Sequence, residues 1–487
     1  MKKARVFISL VGLILLCGCA KTPQLSEKGE DIEEMTESSF PSKYSLADEN
    51  RITEMASQEA TAMCWAYTIM NVAESNLLTQ GVAQQEDLNL SEAHLVYYTY
   101  SRQEEVQVAE GEDLQYMVMD SRGRDSMGFY IGGGDKAIYM LANGMGPILE
   151  KEVPFNNESE AKVEQSVDNL KARDEAGEIK KYMGDYLLKE ADYYSDTDRD
   201  RIKECIMNNG AMMMSFHMDL KYYTEAKAYH CPKAGMVANH MVSLIGWDDQ
   251  YSKENFGENQ PLKDGAWLVL DSAAKAYGGD GYLWISYETK VPDRMALLTM
   301  CERDEYGEIL FYDSLGPKDF LVAKGKDTTI ANVYYVEEDR EIKAVGIYTV
   351  DDEQPVEICV YTDVPEGKPD GGICRAKLSV QPQWAGYHVV DLEETIPIGH
   401  GVAFSVVVKY QGGDSIGKAP VEGADTSYYR VLMLKDCYTS QKGQSYAFNE
   451  DVWYDLADED SAKVFDKSEK INNACIKVLL KNYNAEE

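Results

Sequence analysis

Gln58-Glu59-Ala60-Thr61-Ala62-Met63-Cys64-Trp65-Ala66-Tyr67 opens a helix, and the rest of the chain is understood from it. From Cys64 to Leu78 two apolar stripes run at offsets of three and four. One holds Trp65, Ile69 and Val72, and the other Ala66, Met70, Ala73 and Leu77. That spacing predicts a helix buried on more than one side. Cys64 then stands in its first turn, where backbone N–H groups and the helix dipole favour negative charge on sulfur. A thiolate is the nucleophile of acyl transfer. Gln58, six residues upstream, can offer its amide to the oxyanion formed when a peptide carbonyl is attacked. Taken alone, the same pattern also describes a structural cysteine packed beside Trp65.

A second stretch, Asn239-His240-Met241-Val242-Ser243-Leu244-Ile245-Gly246-Trp247-Asp248, puts a histidine at the head of an apolar strand. The chain has six histidines, and His240 is the one that opens a buried run. A further strand, Ala266 to Leu270, ends at Asp271-Ser272. An imidazole that serves a cysteine needs a third group to fix its tautomer and orientation, and Asp271 can accept from its ring N–H.

From Pro41 to Tyr287 the chain resembles the papain-like cysteine peptidases. Gln58, Cys64-Trp65-Ala66-Tyr67, Leu90-Ser91-Glu92-Ala93-His94-Leu95-Val96, Asn239-His240 and Gly281-Tyr282-Leu283-Trp284-Ile285 fall in that family's order. From about Asp304 to Lys481 it resembles the lectin-like β-domain that follows such peptidases in surface proteins of anaerobic bacteria. Ala385-Gly386-Tyr387-His388-Val389-Val390-Asp391-Leu392, Phe404-Ser405-Val406-Val407-Val408-Lys409 and Gln444-Ser445-Tyr446 carry that likeness. The resemblance implies an α+β chain, with a two-lobed peptidase domain followed by an antiparallel β-sandwich. It also implies a protein or peptide substrate and no cofactor. Cys64 would attack the scissile carbonyl, His240 relay the proton, Gln58 hold the oxyanion and Asp271 orient His240. The family has asparagine where Asp271 stands, tryptophan at Ala273, glycines at Glu59 and Ala62, and a disulfide cysteine at Thr61. These departures keep a second function in view, a papain-like domain that binds at a surface without cutting.

The N-terminus supplies a context. Lys2, Lys3 and Arg5 precede an apolar run from Val6 to Leu16, too short for a permanent membrane span and suited to a signal peptide over residues 1–18. Leu16-Cys17-Gly18-Cys19 resembles a lipobox, which predicts lipidation of Cys19 and anchorage to the outer face of a bacterial membrane through that lipid alone. Residues 19–39 read as an acidic tether, residues 40–303 as the peptidase domain and 304–487 as the sandwich. The formal charge of −36 becomes −39 without Lys2, Lys3 and Arg5, and it excludes nucleic acid as a partner. Of ten cysteines, setting aside Cys17, Cys19 and Cys64 leaves an odd number, hence at least one free thiol.

Other segments are assigned by pattern. Asp200 to Asn209 reads as a helix closed by Gly210, and Met212 to Phe216 and Met241 to Trp247 as strands. The charged stretch Glu158 to Tyr194 reads as an insertion of helices and loops, which lengthens the distance from Cys64 to His240. Beyond residue 304, short strands such as Ile342 to Thr349 and Val402 to Tyr410 alternate with Gly and Pro turns. Asp196-Thr197-Asp198-Arg199-Asp200 lacks the glycine and glutamate of a calcium loop and fits a helix N-terminus. Gly132-Gly133-Gly134-Asp135-Lys136 lacks P-loop spacing. Trp384 and Trp453 are candidates for stacking on a carbohydrate or cell-wall ligand, although packing is the commoner use of tryptophan.

Overall fold

A computed structural model describes residues 40–59, 61–100, 133–182, 184–195, 198–276, 279–291, 294–413, 415–423, 440–468 and 471–482. The signal segment, Cys19, the tether, Asp196 and Thr197 lie outside the described residues. The N-terminal half begins with β1 (Lys43–Ser45) and continues through α1 (Cys64–Gln80), α2 (Glu92–Tyr100), α3 (Gly134–Ala142) and α4 (Glu160–Glu175). Then come β2 (Tyr186–Tyr194), α5 (Arg199–Asn209), β3 (Met212–Phe216), β4 (Ala228–Tyr229) and β5 (His240–Asp248). β6 (Ala266–Leu270), α6 (Ser272–Ala276), β7 (Tyr282–Ser286) and β8 (Met295–Glu302) complete it.

Helix α1 is buried from Trp65 to Leu77 and ends at Gly81, whose φ of 72° is the left-handed geometry that closes helices. It packs on β5, β8 and α3, so the two apolar stripes both find cover. The predicted helix before Gly210 is α5, and the strands at 212–216 and 266–270 have the expected bounds.

The charged segment read as helices and loops is corrected in part. Its first half is α4, but its end is β2, a central strand that pairs with β8 over its whole length. The register shifts between Leu188 and Glu190, and that bulge breaks the period-two alternation by which a strand is recognised.

The C-terminal half contributes β9 (Ile309–Leu310), β10 (Asp319–Leu321), β11 (Thr328–Tyr334), β12 (Arg340–Thr349), β13 (Val356–Thr362) and β14 (Ile373–Val380). β15 (Gly386–Ile398), β16 (Phe404–Tyr410), β17 (Ala419–Gly423), β18 (Ser445–Asn449), β19 (Val452–Asp455), β20 (Ile471–Ala474) and β21 (Ile476–Leu480) follow. Strands β14-β13-β16-β11-β18-β19 form one antiparallel sheet. Its inner residues Ile330, Ile358, Val406 and Val408 share a core with Ile342, Val345, Ile347, Ile476 and Val478 of the opposing layer. That is the expected sandwich.

The opposing layer is not confined to this half. A sheet ordered β4-β7-β6-β5-β3-β8-β2-β15-β12-β21-β9 runs from one half into the other, joined where Gly386, Tyr387 and His388 pair with Asp192, Ala191 and Glu190. A Cβ at Gly386 would lie 1.9 Å from the Ala191 carbonyl oxygen, so the close strand approach requires glycine there. Both halves belong to one compact unit that begins at Phe40.

Candidate active site

Cys64 is the first residue of α1, preceded by Met63, which gives no side-chain cap. His240 opens β5 and lies opposite Phe216 of β3 in the antiparallel register. Asn239 fixes this corner from the surface: its Oδ1 accepts from Met218 N at 2.7 Å, and its Nδ2 donates to Met218 O at 3.0 Å. β6 pairs with β5 and delivers Asp271 at its end, where Asp271 N donates to Gly281 O at 2.8 Å.

These elements bring Cys64, His240 and Asp271 together. His240 Nε2 lies 2.8 Å from Asp271 Oδ1, and the two side chains are 9% and 1% exposed. The Cys64 thiol is hydrogen-bonded to the same imidazole, and with Nε2 engaged, Nδ1 is the nitrogen left for it. Burial disfavours the imidazolium, but the charge and hydrogen bond of Asp271, followed by those of Cys64, outweigh it and raise His240 to about 10. Asp271 Oδ1 also accepts from Ala273 N at 2.8 Å, while Oδ2 is buried with no hydrogen-bond partner among the described residues. The positive imidazole is therefore the principal compensation for a buried carboxylate.

Gln58 is held at both ends of its amide. Nε2 donates to Thr61 O at 2.9 Å, and Oε1 accepts from Ser272 Oγ at 2.8 Å. A primary amide has two N–H bonds, so one donor remains for a ligand. Gln58 N also donates to Ser272 O at 3.2 Å, tying the loop before α1 to the residue after Asp271. Thr61 is buried and caps the turn by giving its hydroxyl to Gln58 O at 2.7 Å.

Four contributors escaped the sequence reading. Ser272 was adjacent to Asp271 and findable by position. Asn157, just before the charged insertion, carried no signal; its Nδ2 donates to Ser57 O at 2.6 Å and to Tyr67 Oη at 2.8 Å. Phe216 sets its ring edge-on to His240, 5.7 Å between centroids. Tyr223 is half-buried and within electrostatic reach of Asp271. Phe216 supplies aromatic cover beside a pair for which Ala273 provides only a methyl group. Glu59 is exposed and holds φ at 41°, the left-handed conformation natural to glycine. Among the described residues no group of three or more His, Cys, Asp or Glu is placed to hold a metal ion.

Residues 40–304 match the papain family cysteine proteases. The chain belongs to that family. Residues 309–479 match the lectin like domain, so the papain-family region is followed by a lectin-like β-rich region. No curated protein matches the chain in sequence. Among solved structures, a form of the clostridial cysteine protease Cwp84 after propeptide cleavage superposes with a TM-score of 0.69 at 22% identity, covering 90% of this chain and 99% of that one. The cysteine protease and lectin-like domains of Cwp84, described as a surface layer associated protein of Clostridium difficile, superpose with a TM-score of 0.70 at 21% identity. That match covers 91% of this chain and 89% of the other, and at such identities the likeness is one of fold. The seven described cysteines of this papain-family chain, Cys64 among them, are free thiols.

Proposed function

We propose that this chain is a cysteine endopeptidase held at the outer face of a bacterial membrane, with Cys64, His240, Asp271 and Gln58 as its machinery. The observation that carries the reading is the imidazole of His240 engaged by Asp271 at 2.8 Å and by the Cys64 thiol. In the acylation step the Cys64 sulfur, its proton already held on His240, adds to the scissile carbonyl. The oxyanion is met by the remaining Gln58 N–H and by the backbone N–H of Cys64, a first-turn donor without an intrahelical acceptor. The imidazolium then protonates the leaving amine as the C–N bond breaks. Water, deprotonated by His240, cleaves the thioester, which frees the Cys64 sulfur beside the imidazolium it started with.

The test is intact-mass labelling by a thiol-directed epoxide together with peptide hydrolysis. Wild type should gain one adduct at Cys64 and cleave peptides, while His240→Ala should lose both. An unlabelled, inactive wild type would favour the second reading, a surface binding module, which draws on Glu59 and Ala62 beside the oxyanion loop and on Asp271 and Ala273. Hydrolysis by Cys64→Ala would sink the assignment of the nucleophile.

Anchorage through a lipid on Cys19 belongs to the same proposal and draws on Leu16-Cys17-Gly18-Cys19 after the apolar run. Among the described residues no helix is long and apolar enough to cross a membrane. Cys19→Ala should release the protein from the membrane fraction. We also propose a division near residue 304, with the lectin-like half as the element that meets a cell-surface ligand.

A further inference from the structure

Away from Cys64, a cleft of about 560 Å³ opens where the papain-family region meets the sandwich. Strands β2 and β8 form its floor, and helix α5 and the turn entering β15 form its walls. It shares no lining residue with Gln58, Cys64, His240 or Asp271. The volume lies within the range of roughly 300–1,000 Å³ that small ligands occupy.

The carboxyls of this cleft have few donors: Asp192 Oδ2 takes one long bond, from Tyr194 Oη at 3.4 Å, and the Arg201 charge attracts it without pairing with it. Glu190 and Asp192 alternate on β2 and so share a face. Burial, then repulsion from Glu190, pushes the Asp192 carboxyl up to about 7. Burial also raises Glu190. Among the described residues neither is ion-paired with a lysine or arginine. The neighbouring Lys189 is engaged by Glu305 at 2.6 Å and Asp391 at 3.6 Å. Arg201 gives its guanidinium to Glu204 at 2.5 Å and Gln383 at 3.2 Å and lies over the Trp384 ring.

His388 adds a third acceptor. It is 6% exposed, and burial holds it down to about 4, so the ring is neutral. Its Nε2 lies 3.1 Å from Trp384 O and 3.3 Å from Thr349 Oγ1. A carbonyl oxygen can only accept, so Nε2 carries the proton and Nδ1 is a lone pair. That lone pair faces Asp192 Oδ1 across 3.8 Å and has no hydrogen-bond partner among the described residues. A single donor atom about 2.8 Å from each would fit between them. Among the described residues no three acids or histidines are placed to hold a metal ion. The chain's own acidic tether, rich in Glu30, Asp31, Glu33 and Glu34, has the wrong charge to fill the cleft.

We propose that this cleft binds a primary ammonium group on a small polar ligand, held by Asp192, Glu190 and His388. An ammonium brings three donors and the missing positive charge in a compact head. Tyr194 and Trp384, 4.8 Å apart, line the cleft beside it. Two sources carry this chemistry, an amino sugar and a lysine side chain.

Calorimetric titration of the full chain with glucosamine, N-acetylglucosamine, Nα-acetyl-lysine amide and its Nε-acetylated form tests the proposal without reference to peptidase turnover. At least one amine should bind saturably, with its acetylated counterpart weaker by about tenfold or more. Which amine binds identifies the source. Asp192→Asn and Glu190→Gln should each weaken binding by a similar factor while peptide cleavage is unchanged, and both relieve repulsion, so melting curves should show intact folds. The proposal is overturned if neither amine binds, if acetylation makes no difference, or if a folded variant of either carboxylate binds as wild type does.

Discussion

At His240 two influences oppose each other: burial disfavours the imidazolium, whereas Asp271 and Cys64 favour it, and the balance lifts the group to about 10. Asparagine in place of Asp271 would keep an oxygen for the ring N–H but remove the charge. Asp271→Asn should therefore lower the His240 pKa by roughly 1–3 units and move the alkaline limb of kcat/KM down by the same amount. A limb that stays in place would mean that Asp271 does not set the proton affinity of the base. Glu59 makes a separate case. Its φ of 41° is costly for any residue with a Cβ, and its carboxylate is solvated, so nothing recovers the strain. Glu59→Gly should stabilise the fold by about 1 kcal/mol, the left-handed cost less the extra chain entropy of glycine. Calorimetry reads this directly, and a lower Tm would show that Glu59 holds the loop by a contact of its own.

At the scale of elements, what could be read from the sequence depended on whether a pattern survived burial. Helix α1 keeps its apolar stripes, and strands β3 and β6 read as unbroken apolar runs because they are covered on both sides, so their bounds were legible. β2 was not. Its polar residues face the cleft or pair with Glu305 and Asp391, and its bulge shifts the alternation midway. In the site, Cys64, His240, Asp271 and Gln58 were legible because their chemistry needs those residue types. Asn157 and Phe216 act through position alone, and any side chain of similar shape would have read the same. The joint between β2 and β15 lies in the same class: nothing local to Gly386 announces a partner nearly two hundred residues away. Gly386→Ala must push that strand off Ala191, at a cost of about 3 kcal/mol. Chemical denaturation should show the loss, while kcat measured well below the transition stays at the wild-type value because Cys64 and His240 are carried on α1 and β5. A variant as stable as wild type would show that the two halves are not held by this pairing.

For the molecule as a whole, the buried carboxyls decide how stability follows pH. Burial first, and neighbouring acids in several cases, raise Glu74 and Glu150 to about 7, Asp192 to about 7 and Glu422 to about 8, and lift Glu92 well above its ordinary value. The folded chain then holds protons that the unfolded chain has released, so stability falls as pH rises from about 4.5 through 8. Glu74 alone, moved from 4.5 to about 7, accounts for roughly 3 kcal/mol at the alkaline end. His240, raised to about 10, acts in the same sense above 6.5: its contribution is complete below that pH and is lost as pH climbs through 10. His94 and His388 act the other way. Burial lowers both to about 4, so the unfolded chain binds the extra protons and their share of the stability falls as pH drops from 6.5 towards 4. A formal charge of −36 adds self-repulsion that acid relieves. The five raised carboxyls outweigh the two histidines, so stability should keep rising as pH falls through 6.5 and be greatest at about pH 5, with Tm rising several degrees between pH 8.5 and 6.5 in low-salt buffer. Glu74→Gln should flatten that slope, because an amide in the same place has no proton to hold. A Tm that is constant or falls on acidification from 8.5 to 6.5 would show that these carboxyls are hydrated in the folded chain, and that the acidic interior beneath α1 is open to water.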